Sequence, residues 1–374
     1  MRQKKTKVLE ILHSLNAGGI ETFIVNFLKA RNDSERKSIK IDIWTLCNDK
    51  GQYFDNAVIE QGCRIIRPKI VRWTNILHRP LCFFYLAYIL LRYGPYDVVH
   101  LHLHSTGALF VLLLRIFRVR KIILHSHNTS ETGAGRLWKM IYPSLSSFLS
   151  KYADIRCACS AEAGKELFGS LPVKIVPNGI DTAKFAFNAE IRTKKRKELA
   201  ISNGTFAVGI AGRLMEQKNH SFLLDVFKEI LKIRQDSVLL IAGDGPLQEM
   251  LQNKAEMLGI SKNIRFLGVR NDIAELYQSF DCFVLPSIYE GFGIVCIEAQ
   301  AAGLPCIVSD AVPKSAAITN TLRLSLIDSP ENWARQIIDF SGKTERKDRS
   351  GIICEKGFDR RNTSKMLIEM YLRY

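Results

Sequence analysis

Two glutamates eight residues apart, Glu290 and Glu298, bracket the run Glu-Gly-Phe-Gly and the alanine-rich segment that follows it. Carboxylates are poor ligands for phosphate but good acceptors for the hydroxyls of a sugar or a ribose. Between them, Gly291 and Gly293, on either side of Phe292, can take backbone angles closed to other residues. Ile294 and Val295 stand where a helix would begin. The first N–H groups of a helix are unpaired and partly positive, which suits phosphate. Acid, glycine turn, helix start and acid together fit a sugar joined to a diphosphate. Either glutamate alone would serve equally well as a favourable charge near a helix start, but no packing need explains the whole set. Arg213 and Lys218, five residues apart in Gly212-Arg213-Leu214-Met215-Glu216-Gln217-Lys218, add two cations. They can converge on one diphosphate, arginine through its fork and lysine as a point charge.

These groups need elements to hold them. Asp281 to Pro286 reads as a strand buried on both faces, Ser287 to Gly293 as a turn and Ile294 to Ala302 as a helix. Gly303-Leu304-Pro305 stops that helix before a second buried strand, Cys306 to Ser309. Thr205 to Ala211 is a strand leading into the Arg213 loop, and Asn219 to Lys232 is the helix after it. Val238 to Ala242 and Ile264 to Gly268 are further strands, and Asp272 is placed to cap a helix running through Tyr277. The basic run Arg192 to Lys197 reads most simply as a solvated helical face, and Trp333 to Phe340 and Arg361 to Tyr374 are helical.

The first half alternates in the same way. Val8 to Leu15 is a strand, Asn16-Ala17-Gly18-Gly19 a turn and Ile20 to Arg31 an amphipathic helix. Gly18-Gly19 permits close approach of backbone to a ligand, but the dinucleotide pattern G-x-G-x-x-G is absent. Ile39 to Leu46 and Arg64 to Arg67 are strands around a helical Tyr53 to Gln61. The strand from Tyr96 to Leu103 carries His100, His102 and His104 at period two, hence on one face. No acid in the neighbouring sequence completes a metal site with them, so no metal is expected; His104 is placed at a ligand-binding edge and the other two are hydrogen-bonded inside. Lys121 to His125 is a strand whose end crowds His125, Ser126, His127, Asn128 and Thr129 together. The carboxyl ends of parallel strands are where open α/β sheets bind ligands. A helix from Gly135 to Tyr152 and strands Ile155 to Ser160 and Val173 to Val176 follow, and Pro177-Asn178-Gly179 marks a boundary.

Periodicity alone supplies an α/β class with parallel sheets. The motif SIYEGFGIVCIEAQAAGLPCIVSD, with Glu290 and Glu298 as E-x7-E, closely resembles family 4 of the retaining glycosyltransferases of the GT-B fold. The resemblance extends to Gly212-Arg213-Leu214 with Lys218, to Gly18-Gly19 and to Asn178-Gly179-Ile180-Asp181, and so covers nearly the whole chain. It implies two doubly wound Rossmann-like domains facing across a cleft. They are an acceptor-side domain over residues 1–178, a sugar-nucleotide-binding domain over 179–355, and a last helix over 356–374 returning to the first domain. By resemblance Arg213 and Lys218 clamp the donor diphosphate, Gly18 and Gly19 face the diphosphate or the acceptor, and residues 291–295 cradle phosphate. Glu298 holds the ribose, Glu290 and His127 position the sugar, and Arg270 lies where the family contacts the base. The segment Ala311 to Thr321 departs from the acidic form usual in the family, which leaves an acceptor role there unsupported.

The implied reaction is metal-independent transfer from a UDP- or GDP-sugar to a saccharide acceptor, lipid-linked in bacterial polysaccharide assembly, with no resident cofactor. Two rivals are a catalytically silent sugar-nucleotide-binding partner subunit and a GT-B epimerase. A chain of 374 residues is long enough for two domains with substantial cores, and an apolar fraction of 47% is that of a soluble protein. The nine cysteines show no CxxC pair, as for buried thiols in a reducing cytosol. The basic then apolar N-terminus imitates a signal peptide, but Glu10 and His13 interrupt it and it reads as a first strand. The longest apolar stretch, Leu81 to Leu91, is about half of the ~20 residues that span a bilayer. Net charge is +16, and between Gln61 and Ser130 ten Lys/Arg face one acid, Asp97. Arg64, Arg67, Lys69, Arg72 and Arg79 precede the aromatic-rich helix Leu81 to Tyr93, a combination suited to anionic headgroups at the inner face of the cytoplasmic membrane. No nucleic-acid recognition motif accompanies the charge.

Overall fold

The computed structural model describes residues 5–68, 79–127 and 144–373. Two compact units emerge, one made of Met1–Gly179 with Arg360–Tyr374 and the other of Ile180–Asp359. The first contains the parallel strands β1 (Thr6–Leu12), β2 (Ile39–Thr45), β3 (Arg64–Ile66), β4 (Val98–Leu101), β5 (Lys121–Ser126), β6 (Ile155–Ala158) and β7 (Lys174–Ile175). Their order across the sheet is β3-β2-β1-β4-β5-β6-β7. The second contains β8 (Phe206–Ala211), β9 (Ser237–Ala242), β10 (Ile264–Phe266), β11 (Cys282–Leu285), β12 (Cys306–Ser309) and β13 (Thr321–Leu324), ordered β10-β9-β8-β11-β12-β13.

Each unit is thus a doubly wound parallel sheet flanked by helices, as a GT-B protein's two Rossmann-like domains are. The chain reverses direction across the sheet between β1 and β4 in the first unit, and between β8 and β11 in the second. Ligands of open α/β sheets lie beyond the strand ends at such a point.

The strands form because both sheet faces are covered. In β1, Leu9 and Ile11 enter the core on one side, while Val8 and Leu12 enter the other beside Phe23, Phe27, Leu367 and Tyr371. The helix Arg360–Leu372 supplies Leu367, Ile368, Met370 and Tyr371 to that second face and packs on the helix Gly19–Ala30. Chain that follows the whole second unit therefore completes the core of the first. In the second unit, Val208, Ile210, Ile241, Val284 and Ile307 meet Leu223, Phe227 and Trp333.

The sequence reading needs correcting at several points. His104 opens the helix His104–Ile116 instead of extending β4, which ends at Leu101, so three histidines do not line one strand; its side chain lies outside the described part. Lys69, Arg72, Asn128, Thr129 and the first part of the expected helix from Gly135 also lie outside the described residues. The basic run on the helix Ala189–Glu198 is not a solvated face: Lys195 and Arg196 are buried. Arg192 and Arg196 both pair with Asp281, at 2.6 and 3.1 Å, and donate to backbone carbonyls at the carboxyl end of the helix Ile273–Ser279. Arg346 shares the Gln278 carbonyl with Arg192 and also donates to that of Tyr277. Three guanidinium groups so satisfy a helix end whose carbonyls would otherwise be orphaned. Asp272 precedes that helix but makes no side-chain cap, because Arg270 and Lys195 take its carboxylate.

Candidate functional site

In the second unit the loop after β8 and the loop after β11 emerge on either side of the chain reversal and are tied together. Gly212 leaves β8 at φ +149°, a conformation that favours glycine, and a Cβ there would press on the Lys218 side chain at 3.1 Å. Ile288 donates its N–H to the Gln217 carbonyl at 2.8 Å, and the Gln217 amide donates to the Tyr289 carbonyl at 3.1 Å. The result brings the Lys218 ammonium onto the Glu290 carboxylate in a close ion pair. The Ser287 hydroxyl donates to the same Glu290 oxygen at 2.8 Å. An ammonium has three N–H donors, so this pairing orients Lys218 and leaves two for phosphate oxygens. Arg213 stands exposed on the same loop, five residues earlier.

Gly293 then begins the helix Ile294–Ala301 in the left-handed region, φ +81°. Having no side chain, it cannot cap the helix, and none does so from that position. The neighbouring Phe292 is buried and stacks on Phe358 at 5.3 Å, fixing the turn from behind. Glu298 lies within the helix and is buried, accepting a hydrogen bond from the Tyr277 hydroxyl at 3.1 Å. Burial pushes its carboxyl up to about 7, against the stabilising effects of Tyr277, Lys184 and Lys218. An acid so poised ionises readily when hydroxyl donors arrive.

Arg270 is held elsewhere. Its guanidinium grips Asp272 in a two-pronged pair at 2.6 and 2.7 Å, which raises its own pKa and holds the Asp272 carboxyl below the usual carboxylate range. Its guanidinium also lies 3.9 Å from the Glu198 carboxylate.

In the first unit Gly18 and Gly19 open the helix Gly19–Ala30, again without a side-chain cap, and the space beside Gly19 is empty within 4 Å of a built Cβ. At the carboxyl ends of β1, β4 and β5 lies a buried network. The register pairs Glu10 with His100 across β1 and β4 and His100 with Ile123 across β4 and β5. Side chains two apart share a face, so Glu10, His100, His102, His125 and His127 all turn the same way. Glu10 contacts His102 Nε2 at 2.8 Å, and His102 Nδ1 contacts His127 Nε2 at 2.9 Å. Tyr371 donates to the other Glu10 oxygen at 2.6 Å and meets His100 Nδ1 at 2.7 Å. His100 Nε2 meets His125 Nδ1 at 3.2 Å. Phe23 closes the group edge-on to His125 and His127, both at 5.2 Å. Burial, then neighbouring histidines, push His100, His125 and His127 well below the usual imidazole range, so they are neutral.

An acid does therefore stand beside the histidines, brought by the fold from about 90 residues away. Nitrogens of His100, His102 and His125 come within 4.8 Å of one another. Both His100 and both His102 nitrogens, with His125 Nδ1, are already engaged in these hydrogen bonds, which accounts for the cluster without an ion. Glu10, Tyr371, Tyr277 and Ser287 were not singled out from sequence. A lone acid inside the buried run of β1 was the available signal for Glu10.

Two family models match the chain. "Glycosyl transferases group 1" covers residues 191–351, and "Glycosyltransferase Family 4" covers residues 17–184. EpsF of Bacillus subtilis (strain 168), which carries a glycosyltransferase name, is 31% identical over 99% of this chain and 97% of its own length. The UDP-Gal:alpha-D-GlcNAc-diphosphoundecaprenol alpha-1,3-galactosyltransferase of Escherichia coli is 30% identical over 80% of this chain and 81% of its own. Among solved structures, Anabaena Alr3699/HepE in complex with UDP and glucose has a TM-score of 0.79 at 20% identity, over 99% of this chain and 100% of that one.

Proposed function

We propose, from the premise that this chain belongs to the glycosyltransferases and has their GT-B fold, that it moves a sugar from a nucleoside-diphosphate donor with retention of anomeric configuration. The acceptor we assign is a lipid-linked saccharide of cell-surface polysaccharide assembly. The observation that carries the donor half is the second unit's constellation: Lys218 oriented by Glu290 and Ser287, beside a glycine-started helix and a buried, poised Glu298. Lys218, Arg213 and the N–H groups of Gly293 to Val295 receive the diphosphate, and Glu298 takes the ribose hydroxyls. Glu290 positions the sugar, and to His127 of the first unit we assign a sugar or acceptor hydroxyl. As the bond from the anomeric carbon to the phosphate oxygen breaks, its electron pair passes to the diphosphate. The acceptor hydroxyl adds to the same face and gives its proton to a phosphate oxygen. The clamp stabilises the charge gathering on the leaving group, so these side chains require no metal for that task.

The E. coli relative's name supplies a UDP-sugar and a polyprenyl diphosphate-linked acceptor, and favours both here. UDP is expected to raise the melting temperature, contributing ~2.7 kcal/mol at a hundredfold excess over its Kd. Thermal-shift titration with UDP, GDP and ADP checks this. No response to any of the three overturns the donor site, and a response without release of nucleoside diphosphate from a sugar nucleotide overturns transfer.

We assign the acceptor's membrane to the first unit. No helix among the described residues is long and apolar enough to cross a bilayer. The helix Arg79–Tyr93 nevertheless exposes Leu81, Phe84, Tyr88 and Leu91, which helical geometry gathers on one stripe, with Phe84 74% and Leu91 77% exposed. Ile116, on the helix packed beside it, is 75% exposed, and Arg92 and Arg118 are exposed nearby in sequence. Apolar and basic groups together favour the surface of an anionic bilayer. Arg67, counted in that patch from sequence, is instead paired with Asp55 inside the unit. Phe84→Asp with Leu91→Asp is expected to abolish co-sedimentation with phosphatidylglycerol vesicles while sparing nucleotide binding. Unchanged sedimentation refutes this face.

A further inference from the structure

The Glu10 network orders protons in a way that reaches His127. We propose that Glu10 and His102 form a relay that fixes His127 as the tautomer protonated on Nε2, so that its Nδ1 offers a lone pair to a hydroxyl of the bound sugar or acceptor. This rests on the placing of His127 in the site given above.

The assignment follows from counting hydrogens. An ionised carboxylate can only accept, so His102 Nε2, 2.8 Å from Glu10, carries the hydrogen. We take His102 as a neutral imidazole with one N–H, which leaves its Nδ1 as an acceptor. The 2.9 Å contact between His102 Nδ1 and His127 Nε2 then requires the hydrogen on His127 Nε2. His127 Nδ1 is left bare, and it is buried with no hydrogen-bond partner among the described residues. An orphaned buried acceptor is unfavourable, and a ligand hydroxyl would satisfy it. Were the order reversed, with a donor in place of Glu10, the hydrogen would move to Nδ1 and His127 would meet the same hydroxyl as a donor.

Glu10's other oxygen runs a separate arm through Tyr371, His100 and His125. This arm holds the carboxylate in place without touching His127's tautomer. Glu10 and His102 are thus positioning residues, buried at 0% and 2% exposure, and act only through His127. The same oxygen that binds His102 is also 3.3 Å from His100, so one carboxylate anchors both arms.

Long-range 1H–15N correlation spectra of the histidine-labelled full chain read the tautomer directly, with His127→Asn to assign the signal. The expected result is the Nε2–H form of His127 in the unaltered protein; the Nδ1–H form overturns the relay whether or not any variant folds. In Glu10→Gln, whose amide can donate to His102, the Nδ1–H form is expected to appear and kcat to fall roughly 10- to 100-fold with little change in donor KM. Tyr371→Phe, which cuts only the other arm, is expected to lower the melting temperature and leave the His127 tautomer unchanged. A tautomer shift in Glu10→Gln with undiminished turnover removes His127 from the chemistry and overturns the proposal. Loss of nucleotide binding in the Lys218 and Glu298 variants is read separately, so the donor site stands or falls independently.

Discussion

Lys218→Ala is expected to lower kcat by ~10²–10³, the usual cost of deleting one preorganised donor to a developing anion. The Lys218 side chain is only 14% exposed and its ammonium is aimed by Glu290, so its orientation is set before any ligand arrives. Two effects add in the variant. A charge facing the leaving diphosphate is lost, and the Glu290 side chain, 6% exposed, loses that counter-charge and repels phosphate. Lys218→Ala combined with Glu290→Gln, read against Glu290→Gln alone, separates them: the loss that Lys218→Ala still causes when residue 290 is neutral measures the clamp, and any excess in the single variant came from the bare carboxylate. Arg213→Ala is expected to match the single variant. Steady-state rates, with melting temperatures to show intact folding, check this, and normal turnover in both single variants eliminates the clamp.

The second large effect concerns Glu298 and pH. Its carboxyl sits at about 7 in the folded protein, raised from 4.5 chiefly by burial. A raised acid favours the folded state while protonated. Its contribution is therefore fully present below 4.5 and is lost as pH rises through about 7, and amounts to on the order of 3 kcal/mol. Ribose hydroxyls donate best to the ionised form, so nucleotide affinity is expected to move the opposite way, tightening from pH 6 to pH 8. Urea unfolding across this range, with and without UDP, should give two opposed slopes. Glu298→Gln should flatten both; a variant retaining either slope shows that another group is titrating.

Much of the architecture was legible because parallel strands buried on both faces appear as short apolar runs, and those at 206–211, 282–285 and 306–309 lie where such runs do. The loops were legible for a different reason: glycine at 212 and 293 answers a backbone requirement that leaves a mark in the sequence itself. What escaped was the choice of partner. Asp272 and the basic run of the helix Ala189–Glu198 were each read against their neighbours in sequence. Their charges are spent on groups brought by the fold, Asp281 for Arg192 and Arg196, and Asp272 for Lys195. Charge along a helix does not say which side will be covered. Glu10 escaped likewise, since its histidines arrive on a different strand and its tyrosine on the last helix.

That last helix sets the order in which the molecule can be finished. The second unit is an unbroken length of chain and can close as soon as it has been made. The first must wait, with the charge of Glu10 lacking a donor that lies 361 residues further along. On the ribosome, the earliest strands to emerge would be the last to reach their final state. They need shelter until residues 360–372 arrive to seal them.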